Sequence, residues 1–367
     1  MGQHSSNAAE KTADQAQSLR ERLRGEVDRT VLRAFKGIEL LGTAPVAVGQ
    51  TPKTLLHRRG TLSLYHYHAV ASEVYRVPIL LVMATTNRGY IFDLAPGQSM
   101  IGFLLDKGYD VYVMDWNPPT PDERHLKLED YTQDFIPDCL RRVQQDSGEA
   151  DVSLIGYCMG GLLSAIYAAL NVDGPVKNLV CFTTPIDFHK MTLWKTWSDE
   201  SAVKLDRLVD ATGIVQTDMV ISIFEMLRPA SGAASQVRLW DNLWNDDFVK
   251  AYRRMDRWAA ETLPLAGDYF RQCVEEFFRK NSLMDASLRV GGKQVDLRNI
   301  QVPLLHVIAA NDHIVPKASA KPLVALAASV DKQEVELPGG HVSLIAGPNA
   351  VKRMWPQLDH WLQTRSS

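Results

Sequence analysis

The 367-residue chain has no apolar run near the ~18 residues that a membrane-spanning helix needs, so no transmembrane segment is expected. Cysteine is scarce. Four residues (Cys139, Cys158, Cys181, Cys273) in a chain this long do not form a disulfide framework, and a reducing, cytoplasmic setting with free thiols is the expectation. Charge of one sign is also missing: 40 Lys and Arg stand against 43 Asp and Glu, for a formal net charge of −3. That balance gives no reason to expect nucleic acid as a partner. The first residues, "MGQHSSNAAEKTADQAQ", lack the apolar core of a secretory signal. No metal-ligand spacing, internal repeat or low-complexity tract is present, so no metal is predicted. One short pattern, Met1-Gly2-x-x-x-Ser6, fits N-myristoylation, but it arises often by chance and a frayed helix start accounts for the same residues.

What is there reads as a soluble globular chain, 46% hydrophobic and 23% charged. Residues 9–40 hold no proline and predict one or two surface helices. Val31, Leu32, Phe35, Ile38 and Leu41 form an apolar stripe, expected to dock on the main domain, with another subunit as the alternative. "TAPVAVGQTPK" supplies turn residues and "TLSLYHYHAV" a strand. His66 and His68 share a face of that strand, but no carboxylate or cysteine accompanies them in sequence, and they read as half-exposed strand positions.

From there the pattern is α/β. "PILLVMA", "DVYVMDW", "VSLIGYC", "KNLVCFTTP" and "PLLHVIAAND" are short apolar runs of buried parallel strands, with helical segments such as "SMIGFLLDKG" and "GLLSAIYAAL" between several of them. A last strand, "QEVEL", leads to "PGGH" and a helix around 350–363. The expected fold is α/β: a doubly wound, mostly parallel sheet. The alternation breaks between Asp187 and about Ile300, in a helical block with five of the eight tryptophans. The expected organisation is a helical extension over 1–47, a core over 48–186 and 301–367, and a cap inserted at 187–300.

The chemistry concentrates at "SLIGYCMGGLLS". Gly156-x-Cys158-x-Gly160-Gly161 follows an apolar strand and opens a helix, the context of a nucleophile elbow. The tight turn needs small residues on both sides of the nucleophile. The Met159 N–H then faces a developing oxyanion, and the helix N-terminus favours a thiolate. In this fold an acid and a histidine follow the nucleophile in that order. "AANDHIVP" supplies Asp312 at the end of a core strand, and "LPGGHVS" supplies His341 after the next. His341 is the expected base and Asp312 its orienter. A second oxyanion N–H is expected near Thr86 or Asn87. His313, beside Asp312, is a pocket-lining candidate, with a packed structural histidine as the alternative.

A thiol is the better nucleophile near neutrality, where a free cysteine of pKa ~8.5 is only a few per cent ionised without help. Exchange between a substrate thioester and an enzyme thiol is close to thermoneutral. Cys158 in place of serine therefore leans towards acyl transfer from a thioester.

These residues also resemble a known family, the polyhydroxyalkanoate synthases, and among them the short catalytic subunits of class III. The resemblance runs from about residue 48 to the C-terminus. It rests on "NRGYIFDLAPGQSMIGFLLDKGYDVYVMDWNPPT", "LEDYTQDFI", "GYCMGG", "TTPIDF", "RMDRWAAETLPLAGDYFRQCVEEFFRKNSLM", "GGKQVDLRNIQVPLL", "DHIVP" and "PGGHVSLIAG", all in the family's order. Gly89 stands where proline is usual and Asn117 replaces a glycine. The resemblance implies an α/β-hydrolase fold and an enzyme that polymerises (R)-3-hydroxyacyl-CoA, 3-hydroxybutyryl-CoA in the first place, into polyester with release of CoA. Its catalytic cysteine, aspartate and histidine correspond to Cys158, Asp312 and His341. Trp258 falls in a family-like stretch and is a candidate for the acyl pocket, a core tryptophan being the alternative.

The resemblance further implies no cofactor, since the CoA thioester is substrate. It implies a homodimer, an accessory synthase subunit as possible partner, and work at the surface of polyester granules. Residues 1–47 are not typical of the family and leave the accessory subunit open. Three rival readings stand. A dienelactone-hydrolase-like enzyme shares the cysteine elbow but lacks a long cap, a serine-type esterase or depolymerase is disfavoured by Cys158, and a non-catalytic granule-binding scaffold is disfavoured by the intact triad.

Overall fold

The computed structural model describes residues 3–42, 45–198, 204–227 and 231–367. Met1 and Gly2 lie outside the described residues, as do the side chains of Ile38 and Leu41. Eight strands form one sheet: β1 (Lys53–Arg59), β2 (Leu62–Tyr67), β3 (Ile79–Val82), β4 (Val111–Trp116), β5 (Val152–Tyr157), β6 (Val176–Phe182), β7 (Leu304–Ala309) and β8 (Lys332–Leu337). The principal helices are α1 (Gln3–Gly42), α2 (Met100–Asp106), α3 (Ile136–Ser147), α4 (Met159–Leu170), α5 (Thr192–Ser198), α6 (Thr217–Glu225), α7 (Ser231–Asp241), α8 (Asp246–Ala260), α9 (Gly267–Cys273) and α10 (Trp355–Gln363).

The strand order is β1-β2-β4-β3-β5-β6-β7-β8, antiparallel for β1, β2 and β4 and parallel onward. Strands β3, β5 and β7 are buried along their whole length, which is why they read as unbroken apolar runs. The chain crosses from β3 to β4 on one side and then returns to β5 on the other. The carboxyl ends of β3 and β5 therefore flank a topological switch point, where such sheets open a crevice.

The edges explain what the sequence pattern missed. Strand β1 carries Lys53, His57, Arg58 and Arg59 and is mostly part-exposed, so it lacks the apolar signature. It pairs with β2 through a tight turn at Gly60, whose φ of +53° suits glycine. Strand β8 has the same charged edge character. His66 on β2 does find carboxylates: its Nε2 lies 2.8 Å from Asp110 Oδ1 and its Nδ1 2.9 Å from Asp146 Oδ2, with the Tyr112 ring stacked at 4.2 Å. Residues far apart in sequence supply this clasp. His68 instead hydrogen-bonds Thr54.

By compactness the chain divides into two units, residues 1–46 with 229–257, and residues 47–228 with 258–367. In the first, Lys36 pairs with Asp246 at 3.0 Å, Arg33 donates to the Asp241 carbonyl and the Arg29 guanidinium lies over Trp244. Val31, Leu32 and Phe35 are 50%, 49% and 70% exposed. In the second unit, α5, α6 and α9 lie between β6 and β7 in sequence, with a small strand pair joining Ile214–Val215 to Leu265–Ala266. No helix among the described residues is long and apolar enough to cross a membrane.

Candidate active site

Strand β5 runs into α4 through Cys158, whose φ of +54° is a left-handed conformation that L-residues adopt at a cost. The turn holds because its neighbours are glycines. A Cβ on Gly156 would meet the Gly161 backbone, and one on Gly160 would strike the Val82 carbonyl and the Met83 backbone. That close approach lets α4 start directly above β3. The Cys158 N–H donates to Phe182 O at 2.9 Å and its carbonyl accepts from Leu162, anchoring the elbow to β6 and to the first turn of α4. Cys158 is partly exposed, unlike Cys139, Cys181 and Cys273, which are buried. Burial pushes those three thiols up, to about 12 for Cys181 and Cys273 and further still for Cys139, which keeps them protonated.

Asp312 follows β7 and His341 follows β8. Both are buried, 9% and 5% exposed, and His341 Nδ1 lies 2.6 Å from Asp312 Oδ2. The other carboxylate oxygen, Oδ1, accepts from the N–H groups of Ile314 and Val315 at 2.9 Å each, so the acid cannot swing away. The Tyr157 ring lies against the imidazole, centroids 5.1 Å apart. Burial by itself would favour a neutral imidazole. The negative charges of Cys158 and Asp312 and hydrogen bonds to both outweigh it, and the His341 pKa is pushed up to about 10. The arrangement thus favours a proton on His341.

Cys158 and Met159 open onto a cavity of about 210 Å³. Its wall is mostly carbon, from residues such as Phe188, Trp194, Trp197, Val220, Phe224 and Ile314. Tryptophans 194 and 197, in the block between β6 and β7, are therefore cavity residues. Trp258 is not among the lining residues. It is 7% exposed and its indole N–H donates to the Arg88 carbonyl at 2.9 Å, the position of a core tryptophan. His313 is exposed on the surface and likewise absent from this wall.

Thr85 and Thr86, after β3, do line the cavity beside Cys158 and Met159. Asn87 does not, and its N–H is already donated to the Ala84 carbonyl at 3.2 Å, so it is not free to meet an oxyanion. The turn that consumes it was invisible in sequence. Thr86 O accepts from Leu263 N–H at 2.7 Å, which fixes the loop. The two departures from the family pattern also have a place: Gly89 N–H donates to buried Asp115 at 2.7 Å, and the Asn117 side chain bonds Thr61 O and Ser63 Oγ. Among the described residues no group of three His, Cys, Asp or Glu side chains is arranged to hold a metal.

The family profile described as "alpha/beta hydrolase fold" matches residues 96–348, and that of the "Poly-beta-hydroxybutyrate polymerase (PhaC) N-terminus" matches residues 42–104. The chain is similar to "Poly(3-hydroxyalkanoate) polymerase subunit PhaC" of Allochromatium vinosum, 34% identical over 335 residues covering 90% of this chain and 94% of that one. The protein of the same name from Synechocystis sp. is 32% identical over 356 residues, 95% of this chain and 94% of that one. That of Haloferax mediterranei is 34% identical over 323 residues, and there this chain, 88% covered, spans only 65% of the relative. Solved structures with the same fold include a monoacylglycerol lipase of Paleococcus ferrophilus (TM-score 0.50, 16% identity, 82% of this chain and 99% of that one). A soluble variant of the monoglyceride lipase of Saccharomyces cerevisiae is similar too (TM-score 0.52, 13% identity, 89% and 98%). A polymerase-type N-terminal segment leading into an α/β-hydrolase core, with identity above 30% along nearly the whole length of two relatives, places this chain in the poly(3-hydroxyalkanoate) polymerase (PhaC) family.

Proposed function

We propose that the protein polymerises (R)-3-hydroxyacyl-CoA into polyester through a thioester on Cys158, with His341 as proton carrier and Asp312 as its orienter. The observation that carries this reading is the buried His341–Asp312 pair at 2.6 Å together with a partly exposed Cys158 on an elbow that opens on an apolar cavity. In the first step the Cys158 thiolate attacks the thioester carbonyl. The oxyanion meets the N–H of Met159 and that of Thr86. The carbon–sulfur bond to CoA then breaks, and the departing thiolate takes the proton held on His341. In the second step the hydroxyl of another hydroxyacyl group attacks the acyl-cysteine, His341 accepts its proton, and an ester forms as the Cys158 thiolate leaves.

Water competes with that hydroxyl. A wall of aromatic and aliphatic side chains around the thioester disfavours water and keeps the charged pair in a medium of low polarity. Residues 187–300 act in this reading as a cap that opens for the growing chain. A second copy of the chain, or an accessory subunit, is the partner, and the granule surface the place of work.

The test is CoA release from (R)-3-hydroxybutyryl-CoA by the full chain and by Cys158→Ala, with the products analysed for polymer and free acid. Polymer from the wild type and none from the variant supports the synthase. Free hydroxy acid alone means a thioester hydrolase and ends the polymerase reading.

A further inference from the structure

The cavity wall beside Cys158 is nearly all carbon, which poses a problem for a substrate that carries a hydroxyl. An acyl chain with a 3-hydroxyl would lose a hydrogen bond to water on entering, while a plain acyl chain has none to lose. A carbon wall alone therefore prefers the wrong substrate. The lining holds few polar side chains, and most are already engaged. Ser198 Oγ donates to Lys195 O at 3.0 Å, and Thr86 Oγ1 donates to Asn87 Oδ1 at 2.9 Å. Thr85 Oγ1 donates to the Tyr269 hydroxyl at 3.3 Å. Two donors remain: the indole N–H of Trp194, which has no partner, and the O–H of Tyr269, which is tied to Thr85 on the loop beside Cys158. The neighbour of the Tyr269 hydroxyl is the thiol of Cys273, one turn along α9, and a thiol is a weak acceptor that an alcohol oxygen displaces.

Resting on the synthase reading, we infer that the Tyr269 hydroxyl binds the 3-hydroxyl of the acyl group delivered to Cys158, and so selects 3-hydroxyacyl over plain acyl thioesters. Tyr269 sits on α9 and is 2% exposed, on the same cavity wall as Cys158, Met159 and Thr85. Its ring is fixed against Tyr131 at 4.5 Å, so the hydroxyl has one position to offer. Thr85 fills an acceptor site on the oxygen and turns the phenolic proton towards Cys273 and the substrate. Burial keeps the phenol protonated. A site that hydrogen-bonds a substrate hydroxyl discriminates against the analogue lacking it, because the site's own polar group is then left unpaired.

The experiment compares single-turnover CoA release from (R)-3-hydroxybutyryl-CoA and from butyryl-CoA, for the wild-type full chain and for Tyr269→Phe. The ratio of the two rates within each protein cancels any difference in folded fraction. The wild type is expected to favour the hydroxyacyl thioester about tenfold or more, and the Phe variant to bring the ratio to one or below. A ratio that stays the same in the variant, or a wild type without preference, overturns the inference while leaving the synthase reading intact. Silence of the wild type with both thioesters sinks the synthase reading and this inference together. If circular dichroism shows Tyr269→Phe unfolded, Thr85→Val, which removes the orienting donor, is measured instead. It must lower the ratio, and an unchanged ratio overturns the inference.

Discussion

His341 lies 2.6 Å from Asp312, and both side chains are closed off from solvent. Asp312 is held on its other oxygen by two backbone N–H groups, so the pair keeps one geometry. Asp312→Asn preserves the shape and removes the charge. CoA release is expected to fall by about 10²–10⁴-fold, as when a triad acid is neutralised. The sign on pH follows from His341, which Cys158 and Asp312 together raise to about 10. The imidazolium form of His341 is lost above that value in the wild type, so the basic limb of the pH–rate profile moves to lower pH in the variant. A basic limb that stays put would separate Asp312 from His341.

The same raised value links to stability. His341 contributes stability that is fully present below its ordinary value of 6.5 and is lost as the pH climbs through about 10. In His341→Gln this component is absent. The gap in unfolding free energy between wild type and variant should narrow from pH 6 to pH 10.5, read by urea titration. A gap that widens on the alkaline side contradicts the assigned charge state.

Cys158 carries its strain in the backbone. A non-glycine residue at φ +54° costs about 1–3 kcal/mol, and glycine does not meet that cost. Cys158→Gly should therefore abolish CoA release yet unfold at higher urea, with a gain on the order of 1 kcal/mol. A loss of stability would mean that side-chain contacts at the elbow outweigh the strain.

Gly160 is where α4 meets β3. Gly160→Ala puts a methyl group against the Val82 carbonyl and the Met83 backbone, atoms that cannot rotate away. Destabilisation of about 3 kcal/mol or more is expected, with loss of activity because the loop bearing Thr85 and Thr86 moves with β3. A stable, active variant would show that the helix shifts freely over the strand.

At the far end of the sheet, the His66 clasp has its own pH signature. Burial disfavours its charge, but hydrogen bonding to Asp110 and the Asp110 and Asp146 carboxylates prevail and raise its pKa. The resulting stability is complete below the ordinary 6.5 and disappears as pH rises through the raised value. His66→Gln should cost more at pH 6 than at pH 9, by on the order of 1 kcal/mol or less for so accessible a cluster. Equal costs at the two pH values would make the clasp a neutral hydrogen bond.

How much of this was legible in the chain depends on the range of the interactions. The elbow was, because strand, glycine, cysteine and helix are contiguous and the turn's steric demands act on neighbours in sequence. Strands β3, β5 and β7 were too, since burial on both faces leaves unbroken apolar runs. Strand β1 was not, because an edge strand carries charges that mask its period. Asp312 and His341, which the structure pairs at 2.6 Å, were chosen by their order after the nucleophile, whereas Asn87 was placed at the oxyanion site on loop position alone, and a local turn to Ala84 takes its N–H.

The sequence by itself determined the α/β fold and singled out Cys158, Asp312 and His341 as candidates, because strand periodicity and the elbow are properties of short stretches. Only the tertiary structure decided which side chains share a wall. It brought Trp194, Trp197 and Tyr269 to Cys158, left Trp258 in the core, closed His66 on Asp110 and Asp146, and grouped residues 229–257 with the N-terminal helix. Those outcomes depend on how helices are rotated and stacked, and packing between residues far apart in the chain sets that rotation.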